Sequence, residues 1–209
     1  MVKIFLADNQ PVVHYGIGAF LKNSTSIKLV EGVSNFHELS SILKNKAVNV
    51  LVIDLELEGL SSINLLMKLK KDYENVKILI YTNLSENLYA PNIIKAGASA
   101  FVHKTESLDF LTATIQKVAE GEIVFNEIVK QKLNLISKQN KNNRNYRKLS
   151  LRELEVLRYL IDGKKNNEIS KILNLNEKTI STYKLRLLTK LNVTNLVDLV
   201  NKAKTLDVI

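Results

Sequence analysis

Four short apolar runs of this 209-residue chain end on groups that could do chemistry together. VNVLVIDLEL breaks at the carboxylate of Asp54, KIFLA ends at Asp8-Asn9, VKILIY ends at Thr82, and the run from Ala100 to Val102 meets His103 and Lys104. Runs of this length, rich in Val, Ile and Leu, read as strands buried on both faces of a parallel sheet. In open α/β sheets, ligands and chemistry gather at the carboxyl ends of such strands. Acids, a hydroxyl and an ammonium at one edge suit transient phosphorylation of a carboxylate. Two or three oxygens hold a Mg²⁺ that neutralises the incoming phosphoryl oxygens, and a lysine and a hydroxyl bind the others after transfer. Singly, Thr82 could be a turn former and Lys104 a surface charge. Their coincidence at separate strand ends favours a site.

The elements that must position these groups follow from periodicity. Lys3–Ala7 is a first strand, and Pro11 opens a helix over Val12–Asn23 with Val13, Ile17, Phe20 and Leu21 on one face. Ile27–Val33 is a second strand, followed by a helix with Phe36, Leu39, Ile42 and Leu43 inward. After the Asp54 strand come a helix over Ile63–Lys71 and a strand over Val76–Tyr81. Pro91 leaves only a short helix near Asn92–Ala96. A fifth strand, Ala100–Val102, precedes a helix over Leu108–Glu120 that Gly121 stops. Strands alternating with helices predict an α/β, doubly wound, five-stranded parallel sheet with right-handed crossovers.

Composition narrows the alternatives. Cysteine is absent, which excludes disulfides and thiolate-ligated metals. Nothing near Met1–Ala7 resembles a signal peptide and no apolar run approaches a membrane span, so a cytoplasmic protein with no membrane association is expected. Residues 1–125 carry 12 basic and 13 acidic residues, a net −1, whereas residues 126–209 carry 18 and 8, a net +10. A positive charge confined to one part of the chain is the footprint expected for a polyanion. Asn126–Lys138 has the spacing of one helix, and the following SKQNKNNRNYRK, almost without apolar residues, reads as a basic flexible linker.

Beyond it, Ser150 and Glu153 form a capping box for a helix carrying Leu154, Val156, Leu157, Leu160 and Ile161, which Gly163 ends. A short helix over Asn167–Leu173, the break LNLN, and a longer helix over Glu177–Leu191 make a helix-turn-helix pattern, with Ser170 small enough for the crossing. A fourth helix over Leu196–Ala203 presents Leu196, Leu199 and Val200. At about 100° per residue, Ile180, Leu187, Leu188 and Leu191 of the long helix face the core. Lys178, Thr182, Leu185, Arg186 and Thr189 lie opposite, with Thr179 and Ser181 at the margins. Cations, hydroxyls and one apolar side chain suit a major groove, although an ordinary solvent face has a similar composition.

Two resemblances carry this further. Through FLADNQPVV, VLVIDLELEG, ILIYTN and AGASAFVHK, residues 1–122 resemble the receiver domain of two-component response regulators, a flavodoxin-like fold. The resemblance implies that Asp54 is the phospho-acceptor and that Asp8, Asp54 and the Glu56 backbone carbonyl belong to a Mg²⁺ site. It further implies that Thr82 and Lys104 contact the phosphoryl group and that Phe101, with Thr82, is the aromatic switch; plain core packing is the alternative for Phe101. Asn9 stands where the family has a second metal-binding acid; an amide oxygen can ligate but brings no charge, so metal affinity should fall. Pro91 also departs, as does the loop LELEGLSS, which lacks the usual proline and second glycine.

Leu149–Val193, LSLRELEVLRYLIDGKKNNEISKILNLNEKTISTYKLRLLTKLNV, resembles the LuxR-type helix-turn-helix without gaps. This implies Lys178, Thr179 and Lys190 on DNA phosphates, residues near Ser181, Thr182 and Leu185 at base edges, and dimerisation through the last helix; Arg186, on the same outer face, is a further candidate for DNA contact. Tyr183 replaces a common His, and Lys184 falls where an aliphatic residue is expected. Together the parts resemble the NarL/FixJ class: a receiver over 1–122, a helix and linker over 123–148, and a DNA-binding domain over 149–209. The expectation is a transcription factor, not an enzyme, phosphorylated on Asp54 by a sensor histidine kinase and binding inverted-repeat half-sites of double-stranded DNA as a homodimer. The alternative keeps the DNA binding and makes the receiver a phosphorylation-independent dimerisation module. A haloacid-dehalogenase-like phosphatase is disfavoured, because the second Asp such enzymes place two residues on is Glu56 here.

Overall fold

The computed structural model describes residues 1–45, 47–60, 63–127, 129 and 149–204. The chain divides into two units, Met1–Lys130 and Gln131–Ile209. In the first, every residue of β3 (Val50–Ile53) is buried. A strand apolar on both sides must be covered on both sides, and β3 is the centre of a parallel sheet. Its neighbours are β1 (Val2–Ala7), β2 (Ile27–Val33), β4 (Lys77–Thr82) and β5 (Ala100–His103), in the order β2-β1-β3-β4-β5. The side-chain alternation of the strands supplies two faces. Ile4, Leu6, Val50, Val52, Leu79, Tyr81 and Val102 pack with Ile17 and Leu21 of α1 (Pro11–Leu21) and Leu111, Ile115 and Val118 of α5 (Leu108–Ala119). Right-handed crossovers place α2 (Phe36–Leu43), α3 (Ile63–Asp72) and α4 (Glu86–Lys95) on the other face.

Local chemistry sets the helix starts. Pro11 occupies the first turn of α1, where its missing N–H and fixed φ do no harm. Asn35 and Ser107 cap α2 and α5 by accepting the N–H groups of Glu38 and Phe110. Some expectations fail. Phe20 of α1 is 44% exposed, because the sheet-facing stripe is narrow and is filled by Ile17 and Leu21. Pro91 does not break its helix: α4 runs through it, losing one backbone rung while the buried Tyr89, Ala90 and Ile93 hold the helix against the protein. The helix expected from Asn126 and the linker lie largely outside the described residues.

In the second unit, α6 (Leu151–Ile161), α7 (Asn166–Leu173), α8 (Glu177–Leu191) and α9 (Leu196–Lys204) bury Leu154, Leu157, Leu160, Ile169, Leu173, Ile180, Leu187, Leu191, Leu199 and Ala203. Asn174 and Asn192 end α7 and α8 in the left-handed conformation that asparagine tolerates. Leu196 proves exposed and Leu188 only half-buried, so α9 packs through Leu199 and Ala203 instead. Among the described residues, no helix is long and apolar enough to cross a membrane.

Candidate functional site

Asp8 and Asp54 follow β1 and β3, adjacent strands, and the Asp54 N–H donates to the Ala7 carbonyl at 2.9 Å. Both acids are buried, at 0% and 1% exposure. Lys104, after β5, reaches across β4 to both. Its Nζ lies 2.6 Å from Asp54 Oδ2, in a hydrogen bond, and 2.8 Å from Asp8 Oδ2. Burial alone would lower the Lys104 pKa; the Asp54 hydrogen bond and the charges of Asp54 and Asp8 outweigh it and hold it above its usual value. The Tyr81 ring, its centroid 5.9 Å from Nζ, adds a cation–π contact. Burial raises the pKa of the Tyr81 hydroxyl.

Thr82 ends β4, the strand between those of Asp54 and Lys104, and is fully buried. Its Oγ1 accepts only a long 3.4 Å bond from the Leu84 N–H. The Lys104 N–H donates to its carbonyl at 2.9 Å. Asp54 Oδ1 accepts the Glu56 N–H at 3.1 Å, so the loop after β3 folds back over the acid. Phe101 in β5 is 4% exposed and turned into the protein.

The donor set suits a hard cation. Asp8 Oδ2 is in ion-pair range of Lys104 but off the direction of a hydrogen bond, leaving a buried anionic oxygen with acceptor capacity unmet. Asn9, beside it, is exposed. Among the described residues no three His, Cys, Asp or Glu side chains converge. One residue was missed from the sequence, and another, His103, was placed at its strand end without a partner. His14 of α1 hydrogen-bonds the Asp8 carbonyl through Nε2, its ring taking the space that a side chain on Gly32 would fill. His103 bonds the Asn83 carbonyl at 2.9 Å. Adjacency to Asp8 and Lys104 was the available signal.

In the second unit, Asn176 caps α8 by accepting the Lys178 N–H. Lys178, Thr182, Leu185, Arg186 and Thr189 are exposed on one side of α8, with Leu185 at 65%, and Thr179 is half-buried. Thr182 and Thr189 donate to carbonyls of their own helix, which fixes their side chains on the exposed face. The Arg186 guanidinium lies 5.9 Å from the centre of the Tyr183 ring. Two candidates are engaged within the fold. Ser181 accepts from Asn166 Nδ2 and donates to the Glu177 carbonyl, tying α7 to α8. Lys190 bonds the buried Glu153 carboxylate at 2.7 Å, joining the end of α8 to the start of α6. Burial would raise the Glu153 pKa; Lys190 and Ser150 lower it below the usual value.

Residues 4–116 match the response regulator receiver domain family, and residues 147–203 match the luxR family of bacterial regulatory proteins. The chain is 31% identical over 204 residues to the Fimbriae Z protein of Salmonella typhimurium, covering 97% of this chain and 96% of that protein. The structure of the Salmonella typhimurium RcsB response regulator is similar with a TM-score of 0.81 at 25% identity, over 99% of this chain and 98% of that one. A second RcsB structure, from Salmonella enterica serovar Typhimurium and bound to promoter P1flhDC in the presence of phosphomimetic BeF3⁻, gives 0.76 at 27% identity over 98% of each chain. Strand-end acids bridged by a lysine, a helix-turn-helix with a polar outer face and these similarities agree: the chain belongs to the NarL/FixJ class of response regulators, phosphorylation-controlled transcription factors with a receiver domain and a LuxR-type DNA-binding domain.

Proposed function

We propose that Asp54 is the phospho-acceptor. The observation that carries this is the single Lys104 ammonium held between two buried carboxylates on adjacent strand ends. A carboxylate oxygen of Asp54 attacks phosphorus, the bond to the donor's leaving group breaks, and an acyl phosphate forms; the donor is a phosphohistidine of a sensor kinase or a small acyl phosphate. Lys104 moves its charge to a phosphoryl oxygen, and the Thr82 hydroxyl, weakly engaged at rest, donates to another. Mg²⁺ held by Asp8, Asp54 and the Glu56 carbonyl, with Asn9 adding no charge, would supply further positive charge beside these oxygens. Phe101, buried in the neighbouring strand, is the ring that would follow Thr82.

On DNA, Lys178, Thr179 and Arg186 meet phosphates or guanine, while Thr182 and Leu185 meet base edges and a thymine methyl. Ser181 and Lys190 act first as supports for α8, because their polar atoms are engaged inside the domain. The protein works in the cytoplasm as a homodimer on inverted repeats whose half-site centres lie about one helical turn apart. Residues 1–122 form the receiver, 123–148 the joint and 149–209 the DNA-binding domain.

The test is incubation with acetyl phosphate and Mg²⁺, read by intact mass, oligomeric state and DNA binding. Wild type gains one phosphoryl group and binds more tightly, Asp54→Ala gains none, and Arg186→Ala loses about ten-fold in affinity. Unchanged DNA binding and dimerisation in Asp54→Ala would favour the phosphorylation-independent reading, to which the exposed Asn9 amide gives some support.

A further inference from the structure

Beyond Lys104 N–H to Thr82 O, the last backbone bond between β4 and β5, the two chains diverge towards α4 and α5. Past that point the His103 side chain ties them together. His103 Nε2 lies 2.9 Å from the Asn83 carbonyl, and Nδ1 lies 2.7 Å from Thr105 Oγ1 and 3.3 Å from the Thr105 backbone nitrogen. A carbonyl only accepts, so Nε2 serves the Asn83 carbonyl as donor, while Nδ1 faces the Thr105 hydroxyl and N–H. Both nitrogens are anchored, which fixes the plane of the ring.

The Asn83 carbonyl and the Leu84 N–H belong to one planar peptide unit, and they point in opposite directions. That N–H is the donor 3.4 Å from Thr82 Oγ1. A ring that holds the carbonyl therefore sets where the N–H points, and through it the resting direction of the Thr82 hydroxyl. We infer that His103 is a positioning residue for phosphoryl transfer, acting through the Asn83–Leu84 peptide to fix the Thr82 hydroxyl relative to Lys104. The inference rests on the reading of Asp54 as acceptor and of Thr82 as a phosphoryl contact. Position matters here because transfer to a carboxylate depends on placing groups around the phosphoryl oxygens rather than on covalent help from the protein.

Full-length wild type, His103→Leu, His103→Gln and Thr105→Val are each titrated with acetyl phosphate in Mg²⁺, with Asp54→Ala as reference and phosphorylation followed by intact mass. His103→Leu lowers the maximal rate about five-fold, the scale expected for one lost hydrogen bond and a misplaced contact, while the half-saturating acetyl phosphate is unchanged. His103→Gln, whose amide N–H reaches the same carbonyl, stays within about two-fold of wild type. Thr105→Val, at an exposed position, keeps the question answerable if His103→Leu fails to fold. It gives a smaller rate loss, and the nitrogen-15 shifts of His103 no longer report one fixed tautomer. A folded His103→Leu at the wild-type rate, a His103→Gln as slow as His103→Leu, or a Thr105→Val identical to wild type in both rate and tautomer would overturn the inference and leave Asp54 as acceptor. A wild type that takes up no phosphoryl group, like Asp54→Ala, would remove the acceptor reading and this inference together.

Discussion

The two units bury the same pair of ingredients, carboxylate and lysine, in different proportions. In the second, Glu153 meets one lysine and two donors of Ser150: the N–H at 2.6 Å, the hydroxyl at 2.9 Å and Lys190 at 2.7 Å. Charge there is balanced, and one carboxylate oxygen, Oε2, accepts all three donors. In the first, Asp8 and Asp54 share the single Lys104, and Asp8 Oδ2 lacks an aligned donor. A balanced buried pair holds helices together; an unbalanced one keeps a negative charge in reserve for a cation or a phosphoryl group. The same side-chain types thus serve architecture at one place and chemistry at the other, and the difference lies in the count of donors.

That contrast can be broken most directly at Glu153. Glu153→Ala leaves Lys190 and the Ser150 N–H without their acceptor and should lower the stability of the C-terminal unit by about 2 kcal/mol, read from its thermal transition. Lys104→Gln should raise Mg²⁺ affinity about ten-fold by titration calorimetry, because the ammonium competes for the same oxygens. Asp8→Asn should have the opposite sign to Glu153→Ala, stabilising the receiver by about 1 kcal/mol in urea unfolding, since it relieves one of two like charges. The smallest effect is on acidification. Folding holds the Glu153 carboxyl below its ordinary value of 4.5, so its stabilisation is complete above that value and is lost as the pH falls through the lower, folded one. Glu153→Gln should flatten this acid slope in the C-terminal transition.

The strand ends that carry Asp8, Asp54, Thr82 and Lys104 were legible in the sequence, because a strand buried on both faces announces itself as an unbroken apolar run. So was the polar face of α8, because helical periodicity separates it from Ile180 and Leu187. What periodicity does not carry is the partner of a polar side chain. Lys190 and Ser181 lie at positions that a helical wheel places near the surface, yet their partners, Glu153 and Asn166, come from other helices. Likewise, the bonds of His14 and His103 go to backbone carbonyls, which have no letter in the sequence. Pro91 misled for a related reason: propensity weighs the lost rung, and the burial of Tyr89 and Ile93 outweighs it.

The bond between Lys190 and Glu153 also bears on how the domain would feel ionic strength. A cation that arrives at a phosphate accompanied by its own carboxylate adds little net charge and displaces few condensed ions from the duplex. Counting Lys178, Arg186 and Lys190 would assign the α8 face a slope of roughly −2.7 in log affinity against log salt, whereas discounting Lys190 gives roughly −1.8. A salt titration of Glu153→Gln against wild type would therefore steepen by nearly one ion per recognition helix, making a buried carboxylate visible in the release of counterions from DNA.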